Sequence, residues 1–125
     1  MAIRIPEIAW SWPIGKGVDG PAPRPRIDLP MIDDGPWAGV PIGGIGAGSI
    51  GRTQRGDFAR RHLRIGTHRF APEPLDGFAL WSDDGSGPHA IVLRTTAIPD
   101  GWGPALAAGD AGRYRALFPR AWFEY

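Results

Sequence analysis

The clearest structural signal in the sequence is the run Phe78-Ala-Leu-Trp-Ser-Asp-Asp-Gly-Ser-Gly-Pro-His-Ala-Ile-Val-Leu-Arg-Thr95. Its two ends, 78–81 and 89–95, are rich in aromatic and aliphatic residues that favour strands. Residues 83–88 between them are the Asp, Gly, Ser and Pro that turns prefer. The run therefore predicts an antiparallel hairpin. It sets the expected fold class as all-β and antiparallel.

Composition outside the hairpin also favours strands over helices. The 125 residues include 19 Gly and 14 Pro, and 42% of them are hydrophobic. Gly and Pro interrupt long helices, while the hydrophobic content is too high for a wholly disordered chain. Further strands are predicted at 48–53, 58–65 and 114–125, and a single helical turn is predicted at 104–108. The length allows one modest core.

Proline recurs throughout residues 1–36. Because Pro fixes φ and lacks a backbone donor, this stretch is predicted to be an extended leader. A fully solvated linker rarely keeps two Trp as close as Trp10 and Trp12, so the apolar residues of the leader are expected to dock on a sheet. These residues are Trp10, Trp12, Ile27, Leu29 and Met31.

Charge and cysteine content exclude several classes of function. The formal net charge of +1 gives no field that would favour nucleic acid or an anionic membrane surface. The chain has no Cys, so it has no disulfide and no thiolate metal site. The first ten residues lack the apolar core of a signal peptide, and no run is long and apolar enough to span a membrane. A cytoplasmic location is expected.

The Gly-rich stretch contains a formal G-x-G-x-x-G at Gly46, Gly48 and Gly51. Dinucleotide binding through this motif needs a buried strand before the glycines and a helix after them. Pro41 interrupts the expected strand, and Gly56 follows too soon for a helix. A tight loop feeding a strand is the favoured interpretation, because Gly permits positive φ and close backbone approach. Dinucleotide binding is therefore kept as a third functional hypothesis, behind the two that are given at the end of this subsection.

Six arginines lie between Arg52 and Arg69, interleaved with Phe58, His62 and His68. Basic residues with aromatic neighbours can bind phosphate or single-stranded nucleic acid. A solvated strand face is the commoner meaning of such a run. Asp57 is the only acid in this stretch, so its arginines are also expected to pair with acids elsewhere or to face another domain.

The acidic pairs Asp33-Asp34 and Asp83-Asp84 do not predict glycosidase chemistry. Glycosidases hold two carboxylates roughly 5 to 9.5 Å apart across a sugar, whereas adjacent strand residues point to opposite faces. Each pair precedes Gly, which indicates a turn. The three His lack metal-site spacing, and no Ser lies in a G-x-S-x-G context. The His and Ser residues considered are His62, His68, His89, Ser11, Ser49, Ser82 and Ser86. No catalytic, cofactor-binding or metal-binding residue is therefore expected, and no cofactor is expected either.

Three segments together resemble the amino-terminal domain of glycoside hydrolase family 116, the family of non-lysosomal glucosylceramidase, also called bile acid β-glucosidase. They are Gly39-Val-Pro-Ile-Gly-Gly-Ile-Gly-Ala-Gly-Ser-Ile-Gly-Arg52 followed by Arg55-Gly-Asp-Phe-Ala-Arg60 and His62-Leu63, then Phe78-Ala-Leu80, then Tyr114-Arg-Ala-Leu-Phe-Pro-Arg-Ala-Trp122. Their order and rough spacing agree with that domain. Arg61 stands where such members usually have Trp, which replaces an apolar anchor by a charge.

The resemblance implies that residues 37–125 form the first part of an antiparallel β-sandwich domain. That domain packs on a C-terminal (α/α)6 barrel, the partner that holds the Glu nucleophile and Asp acid/base of a retaining mechanism. No residue here matches either catalytic motif. The resemblance thus implies a non-catalytic N-terminal segment of a retaining β-glucosidase or glucosylceramidase, whose full-length parent hydrolyses β-glucosides such as glucosylceramide. Because the sequence stops within the aromatic run 121–125, it is expected to be a fragment. The alternative is a stand-alone carbohydrate-binding or scaffold module whose six Trp offer sugar-stacking faces.

Overall fold

A computed structural model describes residues 3–17, 39–64, 66–71, 73 and 75–125. Within these ranges the fold is all-β without helices, as predicted, and its three sheets have the orders β1-β8-β9, β2-β3-β4-β5 and β6-β7. All strand pairs within the sheets are antiparallel. The strands are β1 (Trp10–Pro13), β2 (Val40–Ile42), β3 (Ser49–Arg52), β4 (Arg60–Arg64), β5 (Thr67–Phe70), β6 (Ala79–Asp83), β7 (Pro88–Val92), β8 (Arg113–Leu117) and β9 (Arg120–Glu124).

The predicted hairpin is confirmed as β6 and β7, with Trp81 opposite Ala90. The strands predicted at 48–53 and 58–65 are confirmed as β3 and β4. The single run predicted at 114–125 is instead the hairpin of β8 and β9, which turns at Phe118 and Pro119 across a cis peptide bond.

The helical turn predicted at 104–108 is wrong. Ala105 forms a parallel bridge with Val92 of β7, and the carbonyl of Pro104 accepts a hydrogen bond from the Val92 amide at 3.0 Å. The Leu106 amide donates to the Arg94 carbonyl at 2.9 Å. This segment is extended because its backbone satisfies polar groups along the outer edge of β7, which a helical turn could not reach.

The buried core cluster is centred on the three-stranded sheet. Ile14 and Tyr114 are fully buried and contact Ala116, and Val40 of the four-stranded sheet packs against this cluster. The three antiparallel sheets agree with the predicted all-β, sandwich-like fold. Burial raises the pKa of the Tyr114 phenol to about 12, because the apolar core disfavours its ionised form.

The expectation that Trp10 and Trp12 dock on a sheet is confirmed. Both lie on β1, which pairs with β8 along its whole length. The rings of Trp10 and Trp12 stack with centroids 5.7 Å apart, and the Trp10 ring meets Tyr114 edge-on at 5.9 Å. The other leader residues expected to dock, Ile27, Leu29 and Met31, lie outside the described residues. The division at residue 36 stays a prediction.

Candidate functional site

The Gly-rich stretch forms an exposed hairpin in the four-stranded sheet. β2 and β3 pair with Ile42 opposite Ile50, and residues 43–48 make the loop between them. Ile45 at the loop tip is fully exposed, and Ile42 and Leu63 are more than half exposed. An apolar side chain is therefore presented to the surroundings on a narrow loop built largely from glycine.

This geometry argues against dinucleotide binding. Gly46 and Gly48 lie in the loop, whereas Gly51 lies inside β3. Residues 53–57 then make a turn that leads to β4, so no helix follows the motif within the described ranges. The helix N-terminus that would meet the pyrophosphate is missing from this arrangement.

Gly48 is required by close backbone packing, and Gly46 is a matched control. Both have φ of +77°, a conformation that costs an L residue about 1–2 kcal/mol. A Cβ at Gly48 would lie 2.8 Å from Leu63 Cα and would also meet the His62 carbonyl, whereas at Gly46 nothing lies within 4 Å. Gly48→Ala should therefore lower the free energy of unfolding by about 2–4 kcal/mol and Gly46→Ala by about 1. Urea unfolding of both variants tests this; equal losses would contradict the packing argument.

The segment after β3 folds into a tight turn around a buried carboxylate. The Thr53 hydroxyl donates to Asp57 Oδ1 at 2.6 Å, and the Thr53 amide donates to the Asp57 carbonyl at 2.8 Å. Asp57 is 1% exposed, and its Oδ2 has no hydrogen-bond partner among the described residues. Gln54 Oε1 accepts from the Gly15 amide at 2.7 Å, which joins the turn to the chain after β1. Thr53, Gln54 and Asp57 therefore stabilise this turn and its contact with the chain after β1.

Arg52 joins all three sheets. Its Nε donates to the Gly56 carbonyl at 3.1 Å, and its Nη2 donates to the Leu93 carbonyl at 2.9 Å and to the Tyr125 hydroxyl at 2.6 Å. Leu93 follows β7 and Tyr125 follows β9. One guanidinium therefore ties β3 to the ends of two other sheets.

Aromatic rings enclose the same guanidinium. Its central carbon lies 3.8 Å from the Phe123 ring centroid and 4.8 Å from the Phe78 ring centroid. Cation–π attraction adds to the hydrogen bonds in such a partly desolvated place. Burial raises the pKa of the Tyr125 phenol, and the positive charge of Arg52 opposes that rise.

Arg61 and Arg69 confirm the expectation that the arginines pair with acids elsewhere. Arg61 forms ion pairs with Asp76 and, at 3.7 Å, with Glu73, and Arg69 pairs with Glu73 at 2.6 Å. The Arg61 side chain is only 14% exposed and also donates to the Ala71 carbonyl at 3.2 Å. Arg61 thus holds Ala71, Glu73 and Asp76 through a hydrogen bond and ion pairs. Arginines used in this way do not favour a nucleic-acid patch.

The second acidic pair is a turn, as predicted. Asp83 Oδ1 accepts from the Gly85 amide at 2.9 Å, and Asp84 Oδ1 accepts from the Ser86 amide at 3.0 Å. The hydroxyl and amide of Ser86 hold the pKa of Asp84 below its usual value. The first pair, Asp33-Asp34, lies outside the described residues.

The same turn brings together a Ser, a His and an Asp that sequence reasoning missed. Ser86 Oγ lies 2.6 Å from Asp84 Oδ1 and 3.1 Å from His89 Nε2, and that nitrogen lies 3.7 Å from Asp84. In a nucleophilic triad the carboxylate bonds the imidazole nitrogen remote from the serine. Here Ser86 donates to the carboxylate itself, and all three residues are exposed, so the cluster does not activate a nucleophile.

The exposed tryptophans and the acidic and His side chains are the remaining candidates for a ligand site. Trp81 and Trp102 are 65% and 45% exposed, whereas Trp10, Trp12 and Trp122 are partly buried; Trp37 is not among the described residues. The described residues contain no group of three His, Asp or Glu side chains that could hold a metal ion. They also contain no helix that could cross a membrane.

Most of the chain matches the sequence model of a known protein family. The sequence model described as "beta-glucosidase 2, glycosyl-hydrolase family 116 N-term" matches residues 39–125. The matched span begins at the glycine before β2 and includes every strand from β2 to β9. It therefore contains the Gly-rich hairpin, the Arg52 junction and the β8–β9 hairpin, and it leaves β1 outside.

Proposed function

Because this chain belongs to glycosyl-hydrolase family 116, as an N-terminal domain of that family, we propose that it is the non-catalytic β-domain segment of a retaining β-glucosidase. Catalysis resides in a partner (α/α)6 domain of the same parent enzyme, which hydrolyses β-glucosides such as glucosylceramide. The match over residues 39–125 is the observation that carries this proposal.

The use of the carboxylates in the fold supports a non-catalytic role. A retaining glycosidase needs two carboxyl groups about 5 Å apart that face a bound sugar. Here the acids of the matched span are largely engaged in structure: one is buried in a turn, others are paired with arginine, and two hold the β6–β7 turn. The buried acid is Asp57, and the acids paired with arginine are Glu73, Asp76 and Glu124. The two acids that accept hydrogen bonds in the β6–β7 turn are Asp83 and Asp84.

The Gly-rich hairpin is the part of the chain best suited to contact the catalytic domain. Its tip residue Ile45 is fully exposed, whereas Arg52 and Arg61 at the base of the same sheet are engaged within the fold. The arginine-rich strands therefore stabilise the β-domain, and the tip of the Gly-rich loop contacts the catalytic domain.

Hydrolysis of an aryl β-glucoside by the purified chain tests the non-catalytic role. We expect a rate equal to that of buffer, and a rate well above buffer in contaminant-free protein would refute the proposal. A titration with glucosides, followed by Trp fluorescence, tests the alternative of a stand-alone carbohydrate-binding module. Saturable binding that is lost when exposed Trp81 or Trp102 is changed to Ala would favour that alternative.

A further inference from the structure

β6 is an open strand edge in the described part of the chain. Its only partner there is β7. The other edge of β7 is covered at its C-terminal end, because the Val92 amide donates to the Pro104 carbonyl at 3.0 Å and Val92 bridges to Ala105. A two-stranded ribbon is marginally stable by itself in water, so an additional strand at β6 would stabilise it.

The hydrogen-bond pattern shows which backbone groups of β6 face outward. The Leu93 amide donates to the Phe78 carbonyl at 2.7 Å, so Phe78 and Leu93 form a hydrogen-bonded pair. Such pairs alternate along an antiparallel ladder, and the amide and carbonyl groups of the intervening residues point away. The outward bond of Val92, opposite Ala79, fits this alternation. Ala79, Trp81 and Asp83 therefore direct their N–H and C=O groups to the open edge.

The other sheet edges carry residues that oppose strand addition, whereas β6 carries few. Natural edge strands are blunted by Pro and by charged side chains. The edge strands of the two larger sheets contain such residues, namely Pro13 in β1, Arg120 and Glu124 in β9, Pro41 in β2 and Arg69 in β5. β6 reads Ala-Leu-Trp-Ser-Asp, and its Leu80 and Trp81 are 55% and 65% exposed on opposite faces.

We propose that two copies of this chain associate by antiparallel pairing of β6 with β6 about a two-fold axis at Trp81. The outward amide and carbonyl of Trp81 then exchange hydrogen bonds with those of Trp81 in the second copy. In this register Leu80 faces Ser82 and Ala79 faces Asp83 of the second copy, so no like charges are opposed. The product is a continuous four-stranded sheet with an isologous interface.

Size-exclusion chromatography with light scattering over a concentration series tests the proposal. The native chain should approach twice its 13.5 kDa mass as concentration rises. Trp81→Lys should stay monomeric, because it places two cations opposite each other at the axis. Leu63→Lys is the matched control: Leu63 is a 58% exposed apolar residue of β4, in a different sheet, and this variant should dimerise like the native chain.

A second variant tests the edge without a charge or the loss of Trp81. Ala79→Pro removes one outward amide per copy. An edge strand tolerates Pro at a position whose amide points away from its partner strand. The loss of these hydrogen bonds should weaken dimerisation roughly tenfold or more. Circular dichroism checks that each variant is folded. A native chain that stays monomeric at every concentration overturns the proposal, even if β6 pairs with a strand of another protein. So does a dimer that survives Ala79→Pro unchanged, or one that Leu63→Lys disrupts as strongly as Trp81→Lys.

Discussion

Arg94→Met is expected to lower the free energy of unfolding by at least about 3 kcal/mol, since it leaves three backbone carbonyls without the donor that a buried guanidinium supplies. Arg94 is 1% exposed. Its guanidinium donates to the carbonyls of Glu73 at 2.9 Å, Asp76 at 2.6 Å and, by a further bond, Ala97. Met fills much of the same volume, so the loss reports the hydrogen bonds more than a cavity. A loss of this size is a large part of the stability of an ordinary domain.

The matched control for Arg94 is Arg113→Met. Arg113 is exposed and donates to the Ser11 hydroxyl at 3.1 Å, so its replacement should change stability by less than about 1 kcal/mol. Urea unfolding followed by Trp fluorescence compares the two variants. Hydrogen exchange should in addition show faster exchange in residues 75–79 of the Arg94 variant, because that segment loses its anchor. Equal effects of the two changes would contradict a special role for Arg94.

Arg52→Lys is expected to lower the free energy of unfolding by about 2 kcal/mol although the charge is kept. A lysine ammonium lacks the planar fork that reaches Gly56, Leu93 and Tyr125 together. It also loses the stacked contact with the Phe123 ring, whose centroid lies 3.8 Å from the guanidinium. Arg52→Ala should cost more, since it removes the charge as well.

Arg115→Lys is the control for Arg52. Arg115 forms an ion pair with Glu124 at 2.6 Å, with both side chains substantially exposed, so this change should cost less than about 1 kcal/mol. Thermal and urea unfolding measure both variants. Ultraviolet titration of Tyr125 gives a second readout, because the positive charge of Arg52 lowers the pKa of that phenol and Arg52→Ala should therefore raise it. Stability of Arg52→Lys equal to that of Arg115→Lys would contradict the junction.

Sequence reasoning predicted the strands whose signals are local. The β6–β7 hairpin follows from turn residues between two β-prone runs, and its Asp83-Asp84 pair acts in the turn through bonds to Gly85 and Ser86. β3 and β4 were predicted for the same reason. β2 was not predicted because Pro41 reads as a strand breaker, yet Pro41 lies on an edge strand, where a missing amide is tolerated.

The candidate site was predicted less completely than the strands. The family resemblance rests on segments within residues 39–63, 78–80 and 114–122, which lie in the span that the family model matches. The Ser86, His89 and Asp84 cluster was missed because its only sequence signal is a spacing common in turns. The role of Arg61 was open until the fold brought Asp76 and Glu73 to it from 15 and 12 residues along the chain.

The sequence by itself determined that this protein is all-β, that it lacks local catalytic motifs, and that it resembles an N-terminal glycosidase domain. Those properties depend on short patterns of turn, apolar and glycine residues. Tertiary structure alone decided what the arginines do, because a guanidinium's partners are not its neighbours in sequence. Arg52 bonds to groups 41 and 73 residues away, and only the meeting of three sheets places Leu93 and Tyr125 around it.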